Sequence, residues 1–393
     1  MKKTALLLAA LVAGASLPAQ TPAPAPAPAA PAPVAMSTPG MVGCLAANPT
    51  PMKFDLGSIL GNAYVTGAVS GFGQWQSNAI PGDFKQVSDI ANAMVFIQKT
   101  EGEFQYFAQA GSYSLPDLGL PYLRSSPMTT ATFGPLPQVF VKYVPTDSFS
   151  IQVGKLPTLI GAECTWSFEN FNIERGLLWN QENAVNRGVQ LNYTSGAMTY
   201  AVSWNDGLYS NRYSWLWGMA SYAIDKTNTL TFIAGGNTKI TTVSTFATPI
   251  FLNNEQIYNL IYVHTAGPWT IEPYLQYTSV PKSSKIGTGE TGTTFGAALL
   301  ASYAFGNGFS LPFRVEYISS TGSAANGAPN LLYGAGSKAW SFTVTPTYQY
   351  KTYFARAELS FVSASQTTPG AVFGPLGNDK TQTRFALETG ILF

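Results

Sequence analysis

Three pairs of opposite charge stand close together in the last fifth of the sequence: Arg314 with Glu316, Arg356 with Glu358, and Arg384 with Glu388. Each lies in a run where every second residue is apolar, as Phe309, Leu311, Phe313, Val315 and Tyr317 are around the first. In extended chain a period of two sends the apolar set to one face and the charges to the other. Side chains arranged in this way do no bond chemistry by themselves. Placed along a narrow water path with low-dielectric walls, they focus a field on ions and dipoles. A second group lies upstream, within one segment and at the start of the next run: Glu163, Glu169, Glu174, Arg175, Glu182 and Arg187. A basic wall facing an acidic segment would create a transverse field. The alternative is that these Arg and Glu residues pair with one another and replace lost hydration.

Nucleophilic catalysis needs a base in contact with a nucleophile. His264 is the only histidine of the chain, and no second histidine, serine partner or metal-ligand cluster accompanies it in sequence. Cys44 and Cys164 stand far apart without CxxC or metal-like spacing, so a disulfide is permitted but not required. The expectation is no catalytic residue, no metal and no cofactor.

The elements that must position the charges follow from composition and periodicity. Charged residues make up 10% of the chain and aromatics 13%, too few charges for an ordinary aqueous surface. No segment beyond the N-terminal leader reaches the roughly 18 consecutive apolar residues of a transmembrane helix. A membrane chain without helical spans must close its sheet to satisfy the backbone. Alternating runs are expected at 62–73, 91–99, 102–112, 137–144, 148–156, 187–195, 197–205, 214–225, 228–236, 255–264, 267–279, 292–305, 309–318, 339–350, 353–362 and 383–393. Every second connection between them is very short and the others are long. This pattern predicts an all-β fold: a transmembrane, antiparallel, up-and-down β-barrel of about 16 strands, with short periplasmic turns and long extracellular loops. A charge on its lipid face would cost about 2–4 kcal/mol for Arg at the bilayer midplane, which favours the lumen for all three pairs.

Residues 1–20 read as a signal peptide, with Lys2 and Lys3 ahead of the apolar run from Ala5 to Val12. Residues 21–61 read as a Pro/Ala-rich periplasmic spacer and lead-in, extended in its first part, and residues 62–393 as the barrel. The net charge of +1 becomes −1 once the two lysines of the leader are removed, so no basic field exists to attract nucleic acid. The third loop, 157–186, is the longest, and it carries Trp166, Phe168, Phe171, Ile173, Leu177, Leu178 and Trp179. So apolar a loop is expected to fold into the barrel and narrow it. Trp75, Trp204, Trp215, Trp217 and Trp269 lie near strand ends, where indoles commonly form interfacial girdles.

Around this loop the sequence resembles the OmpL-like β-barrel porin family of Gram-negative bacteria. The resemblance lies in Val153-Gly154-Lys155, then Thr158, Gly161, Glu163, Asn170, Arg175 and Leu177-Leu178, and Arg187-Gly188-Val189, with a weaker match in the hairpin from Asn92 to Tyr106. It implies a channel-forming barrel. The last strand, with Phe385, Leu387, Ile391 and Phe393 in alternate register, resembles the C-terminal motif read by the barrel assembly machinery. Together these features lead to an outer-membrane barrel in contact with lipid, passing ions and small hydrophilic solutes by diffusion. The alternatives are a channel selective for sugars or organic anions, and an adhesive barrel acting through its loops. A homotrimer is the habit of sixteen-stranded porins, and Gly296, Ala297 and Ala298 would permit close packing.

Overall fold

The computed structural model describes residues 39–393. A short ladder segment, β1 (Met52–Asp55), and a helical turn, α1 (Gly57–Leu60), precede the first long strand, β2 (Asn62–Gln76). Next come β3 (Gln86–Lys99), β4 (Phe104–Tyr113), the helix α2 (Ser125–Ala131), β5 (Val139–Thr146) and β6 (Phe149–Pro157). After the long third loop follow β7 (Val185–Ser195), β8 (Met198–Asn205), β9 (Trp215–Ala223), β10 (Asn228–Asn237) and β11 (Gln256–Ala266). The remainder are β12 (Trp269–Val280), β13 (Gly292–Gly306), β14 (Phe309–Ser320), β15 (Lys338–Val344), β16 (Thr347–Tyr350), β17 (Tyr353–Ser365) and β18 (Thr381–Leu392).

From β2 onward each strand pairs antiparallel with the next, β15 and β16 counting as one, and β18 returns to β2 from Arg384↔Gln76 to Leu392↔Ala68, so the sheet closes. Of the eighteen ladder segments, β15 and β16 share β14 and β17 as partners and form one stave, while β1 pairs with the lower end of β2; sixteen staves therefore make the wall. The stave expected at 339–350 is interrupted at Thr345-Pro346 because proline has no N–H to donate to the ladder. Its carbonyl still accepts from Ala357 N at 3.1 Å, which keeps β17 in register. The ordered strands also run further than expected at the loop side, β2 to Gln76 and β3 from Gln86. There Trp75 and Ile90 still face outward, but the register shift between Ser70 and Gly71 breaks the strict period of two.

Seven connections are tight, at 100–103, 147–148, 196–197, 224–227, 267–268, 307–308 and 351–352, and eight at the other end are long. The two sets are the periplasmic turns and extracellular loops of an outer-membrane barrel. On β17, Phe354, Arg356, Glu358, Ser360, Val362 and Ala364 are buried while Leu359 and Phe361 are exposed to the lipid side. The outer face is apolar elsewhere too, with Val202, Trp204, Phe342 and Leu387 all exposed.

Two of the tryptophans expected in a girdle are not there. Trp215 and Trp217 are fully buried and face inward, whereas Leu216 between them is exposed. Their indoles meet edge to face at 6.3 Å, and Trp215 Nε1 donates to the Asn253 carbonyl at 3.0 Å. Gly235, opposite Trp217 across the ladder, makes the space: a Cβ there would stand 2.4 Å from the indole. Trp75, Trp204 and Trp269 are exposed on the outside. Gly296 and Ala298 also face inward, with Gly296 beneath Leu178, so of the three small residues of β13 they offer no outer packing surface.

Candidate functional site

The interior is built from three parts: the inner face of β14–β18, the segment 158–184 that follows β6, and residues 40–46. All six wall charges are on the inward phase, and Arg314, Glu316, Arg356, Glu358, Arg384 and Glu388 are each no more than 2% exposed. What covers them is the loop. Its apolar side chains are buried in three clusters, Phe171, Leu177 and Leu178 with Trp215, Trp217 and Ile257 of the wall, Trp166, Phe168 and Trp179 with Phe96, Phe107 and Phe140, and Ile173 with Phe72, Tyr122 and Ala386.

The polar contacts are ordered along the loop. Glu316 accepts two successive amides, Leu177 N at 3.0 Å and Leu178 N at 3.2 Å, and Ser341, opposite it on β15, donates to it at 2.6 Å. Glu358 accepts two more, Ile173 N at 2.6 Å and Glu174 N at 3.1 Å, along with the Thr345 hydroxyl at 2.8 Å. The arginines reach the other polarity of the loop. Arg314 donates to Glu163 at 2.6 Å and to the Glu174 carbonyl at 2.9 Å, while its Nε holds Glu316 at 3.1 Å. Arg384 donates to Glu174 at 2.6 Å and to Gln76 at 2.9 Å.

Lower on the same wall, Arg356 and Glu388 lie directly opposite across β17 and β18 and form an ion pair. Arg356 also donates to the carbonyls of Ser167 at 2.9 Å and Asn170 at 3.0 Å, and Glu388 accepts from the hydroxyls of Ser70 and Ser167, each at 2.8 Å. Charge-assisted bonds of this kind are about twice as strong as neutral ones. Removing one partner leaves a buried charge, a loss of about 3–5 kcal/mol. Gly176 allows the close approach, since a Cβ there would lie 2.2 Å from Glu316 Oε1.

The remaining expected residues have different partners. Arg175 bonds Asp117 of the second long loop at 3.1 Å and stacks over Trp179 at 5.3 Å. Arg187, at the start of β7, pairs with Asp206 at 2.7 Å and not with the charged wall. Glu182 accepts from the Tyr274 hydroxyl at 2.5 Å. Glu169 receives amides, Trp166 N at 3.1 Å and Gly40 N at 2.9 Å. Burial pushes the carboxyl of Glu169 up to about 7, that of Glu182 to about 8 and that of Asp117 to about 6, the last against the pull of Arg175. Burial raises Glu163 as well, opposed by Arg314.

Residues 40–46, assigned by sequence to the lead-in, lie against the loop. Gly43 N donates to the Glu169 carbonyl at 2.6 Å, and a Cβ on Gly43 would stand 2.2 Å from the Asn170 backbone. Leu45 is buried beside Phe354 and Trp166, and Ala46 exchanges two hydrogen bonds with the Gln349 amide, at 2.7 and 2.9 Å. Cys44 Sγ is 2.9 Å from Ser302 Oγ, and both Cys44 and Cys164 are free thiols. Asp117, Gly43 and the serine and threonine partners of the wall carboxylates carry no sequence mark of this role. Their contribution depends on which element each one meets. His264 bonds Asn228 at 2.8 Å, an amide and not a nucleophile. The described residues contain no cluster of metal-ligating side chains.

A closed sixteen-stave barrel with an apolar exterior, a polar inner phase and an infolded loop defines a channel-type outer-membrane protein. The chain matches the sequence profile of the beta-barrel porin-2, OmpL-like family over residues 62–393 and belongs to that family; it is an outer-membrane porin. No curated protein sequence matches it. Among solved structures it is similar to OmpT of Vibrio cholerae lacking loop L8, an outer membrane protein, with 11% identity, a TM-score of 0.55 and coverage of 84% of this chain and 99% of that one. It is also similar to the outer membrane channel DcaP of Acinetobacter baumannii, with 9% identity, a TM-score of 0.56 and coverage of 84% and 97%. At these identities the likeness concerns the fold.

Proposed function

We propose that this porin passes ions and small hydrophilic solutes by passive diffusion, without catalysis. The observation that carries the reading is the asymmetry of the lumen. The loop is tied to β14–β18, while toward the tight-turn end of β6–β10, below the inward Trp215 and Trp217, the inner residues Gln152, Asn192, Thr199, Ser221 and Thr231 are polar, uncharged and only half-buried. Lys142, paired across the ladder with Gln152, adds a half-buried positive charge to that side. A polar strip of this kind suits a water path. The six wall charges and the loop residues Glu163, Glu174 and Glu169 then set the width of the path by holding the loop; Arg175, through Asp117, and Glu182, through Tyr274, brace it against other elements, and Arg187 ties the start of β7 to Asp206.

Conductance of the folded protein in a planar bilayer tests the proposal directly. A steady ohmic current is the expected result, and absence of ion current at every voltage would overturn it. We propose further that the porin is a homotrimer, which its mass in mild detergent checks. The Phe385, Leu387 and Phe393 side of β18 is proposed to engage the barrel assembly machinery. Loss of membrane assembly in Phe393→Ala is the expected result.

A further inference from the structure

Above the loop, on the extracellular side, lies a cavity of about 740 Å³. Its walls come from five long loops: 77–85, 114–138, 158–184, 206–214 and 238–255. A cavity of about 300–1,000 Å³ is the size that holds a small organic molecule. Its chemistry is unlike a polar strip. Leu115, Phe133, Trp179, Leu208, Phe246 and Leu252 form much of the wall. Phe246 remains 60% exposed in the long loop 238–255 at the extracellular end, and Phe84, 43% exposed, has Arg124 stacked on its ring at 5.2 Å. Apolar surface kept open to water in a concave site marks a place that something else covers.

The charges around the cavity narrow the class of occupant. Among the described residues none of the lining side chains is lysine or arginine, whereas Asp83, Asp117 and Glu182 all contribute. Asp117 is the acid whose side chain keeps exposure, 12%, while its partner Arg175 has none; Asp83 is as buried as Arg384, 3.8 Å away, and Glu182 is turned to the Tyr274 hydroxyl. An anion entering the cavity therefore meets the Asp117 carboxylate and ring faces, with no lysine or arginine in the lining. A cation meets the same groups favourably, because aromatic faces are electronegative, and an uncharged apolar solute is favoured by burial alone.

We propose that this extracellular vestibule is a binding site for small amphipathic organic solutes, uncharged or positively charged, and that it discriminates against anions. Binding needs only the cavity. Passage of the bound solute through the barrel rests on the porin reading above.

Three probes of one shape separate the charge classes: 4-fluorobenzyl alcohol, 4-fluorobenzylamine and 4-fluorobenzoate. Fluorine NMR linewidths are followed as each is titrated into the folded full chain in detergent, with protein-free micelles subtracted. The alcohol and the amine are expected to bind saturably and the benzoate at least about tenfold more weakly. Equal binding of all three, or no saturable binding beyond the micelle background, overturns the proposal. Phe246→Arg places a guanidinium at an exposed position of the wall and is expected to weaken the amine and strengthen the benzoate. Thr245→Lys serves the same purpose if the first variant fails to show the heat-modifiable mobility of a folded barrel. Unchanged preference in a folded variant places the binding elsewhere and overturns the assignment. Bilayer current from the same preparation is read separately. Conduction without probe binding removes the site and keeps the porin, and binding without conduction does the reverse.

Discussion

Arg314 and Glu163 are 151 positions apart in the chain and meet at 2.6 Å inside the barrel, wall arginine to loop carboxylate, both shielded from water. The same guanidinium holds Glu316, which in turn holds the Leu177 and Leu178 amides. Arg314 therefore keeps two carboxylates apart as well as anchoring the loop. In Arg314→Met, Glu163 and Glu316 face one another unpaired, and loop docking should lose about 3–5 kcal/mol. A larger and noisier single-channel conductance is expected, together with protease cleavage within 158–184. Wild-type conductance with a protected loop would contradict this role.

Glu316 and Glu358 make the same contact at two points, each accepting a pair of successive loop amides. Glu316→Gln and Glu358→Gln keep the size and remove the charge, weakening docking by about 1–3 kcal/mol each. Because both hold one short segment, release at either point should loosen the other, so the double variant is expected to cost less than the sum. Rates of loop proteolysis for the two single variants and the double variant measure the coupling, and strict additivity would show that the anchors act independently.

Gly43 occupies a position where only hydrogen fits against the Asn170 backbone. Gly43→Val should expel residues 40–46 from the loop while leaving the sixteen staves closed. A widened periplasmic end and higher conductance are expected, with the heat-modifiable mobility of the barrel unchanged. If the conductance of the folded variant equals that of wild type, the segment does not restrict the path.

The docked loop should also respond to pH. Burial raises Glu169 to about 7 and Glu182 to about 8, from an ordinary carboxyl value of 4.5. A raised carboxyl binds more protons in the docked state than in the released one. Its stabilisation is thus complete below about 4.5 and is lost as pH rises through the raised values. The loop should be held most firmly near pH 5 and loosen toward pH 9, with conductance rising over that window. Glu182→Gln should flatten the upper part of the profile, and the opposite slope in the wild type would refute the assignment.

Most of the wall was legible in the sequence because a lipid-facing strand must alternate strictly. The phase that places Leu359 and Phe361 outside leaves Arg356 and Glu358 inside, and this inference needs no knowledge of neighbours. The alternation of short and long connections likewise determined the direction of the staves. Trp215 and Trp217 were harder to place, because alternation in Trp215-Leu216-Trp217 is consistent with either phase. The opening left by Gly235, on a different strand, decided between them.

By itself, then, the sequence determined a closed sixteen-stave barrel, its orientation, and the inward direction of the six wall charges, since these follow from local periodicity and the energetics of hydrocarbon. Only the tertiary structure decided what those charges touch. Glu358 meets Ile173 and Glu174, Arg384 meets Glu174, and Gly43 meets Glu169 across the barrel. Such pairs arise from how a long loop folds back against distant strands, and no periodic pattern in a single chain records which partner lies on the other side.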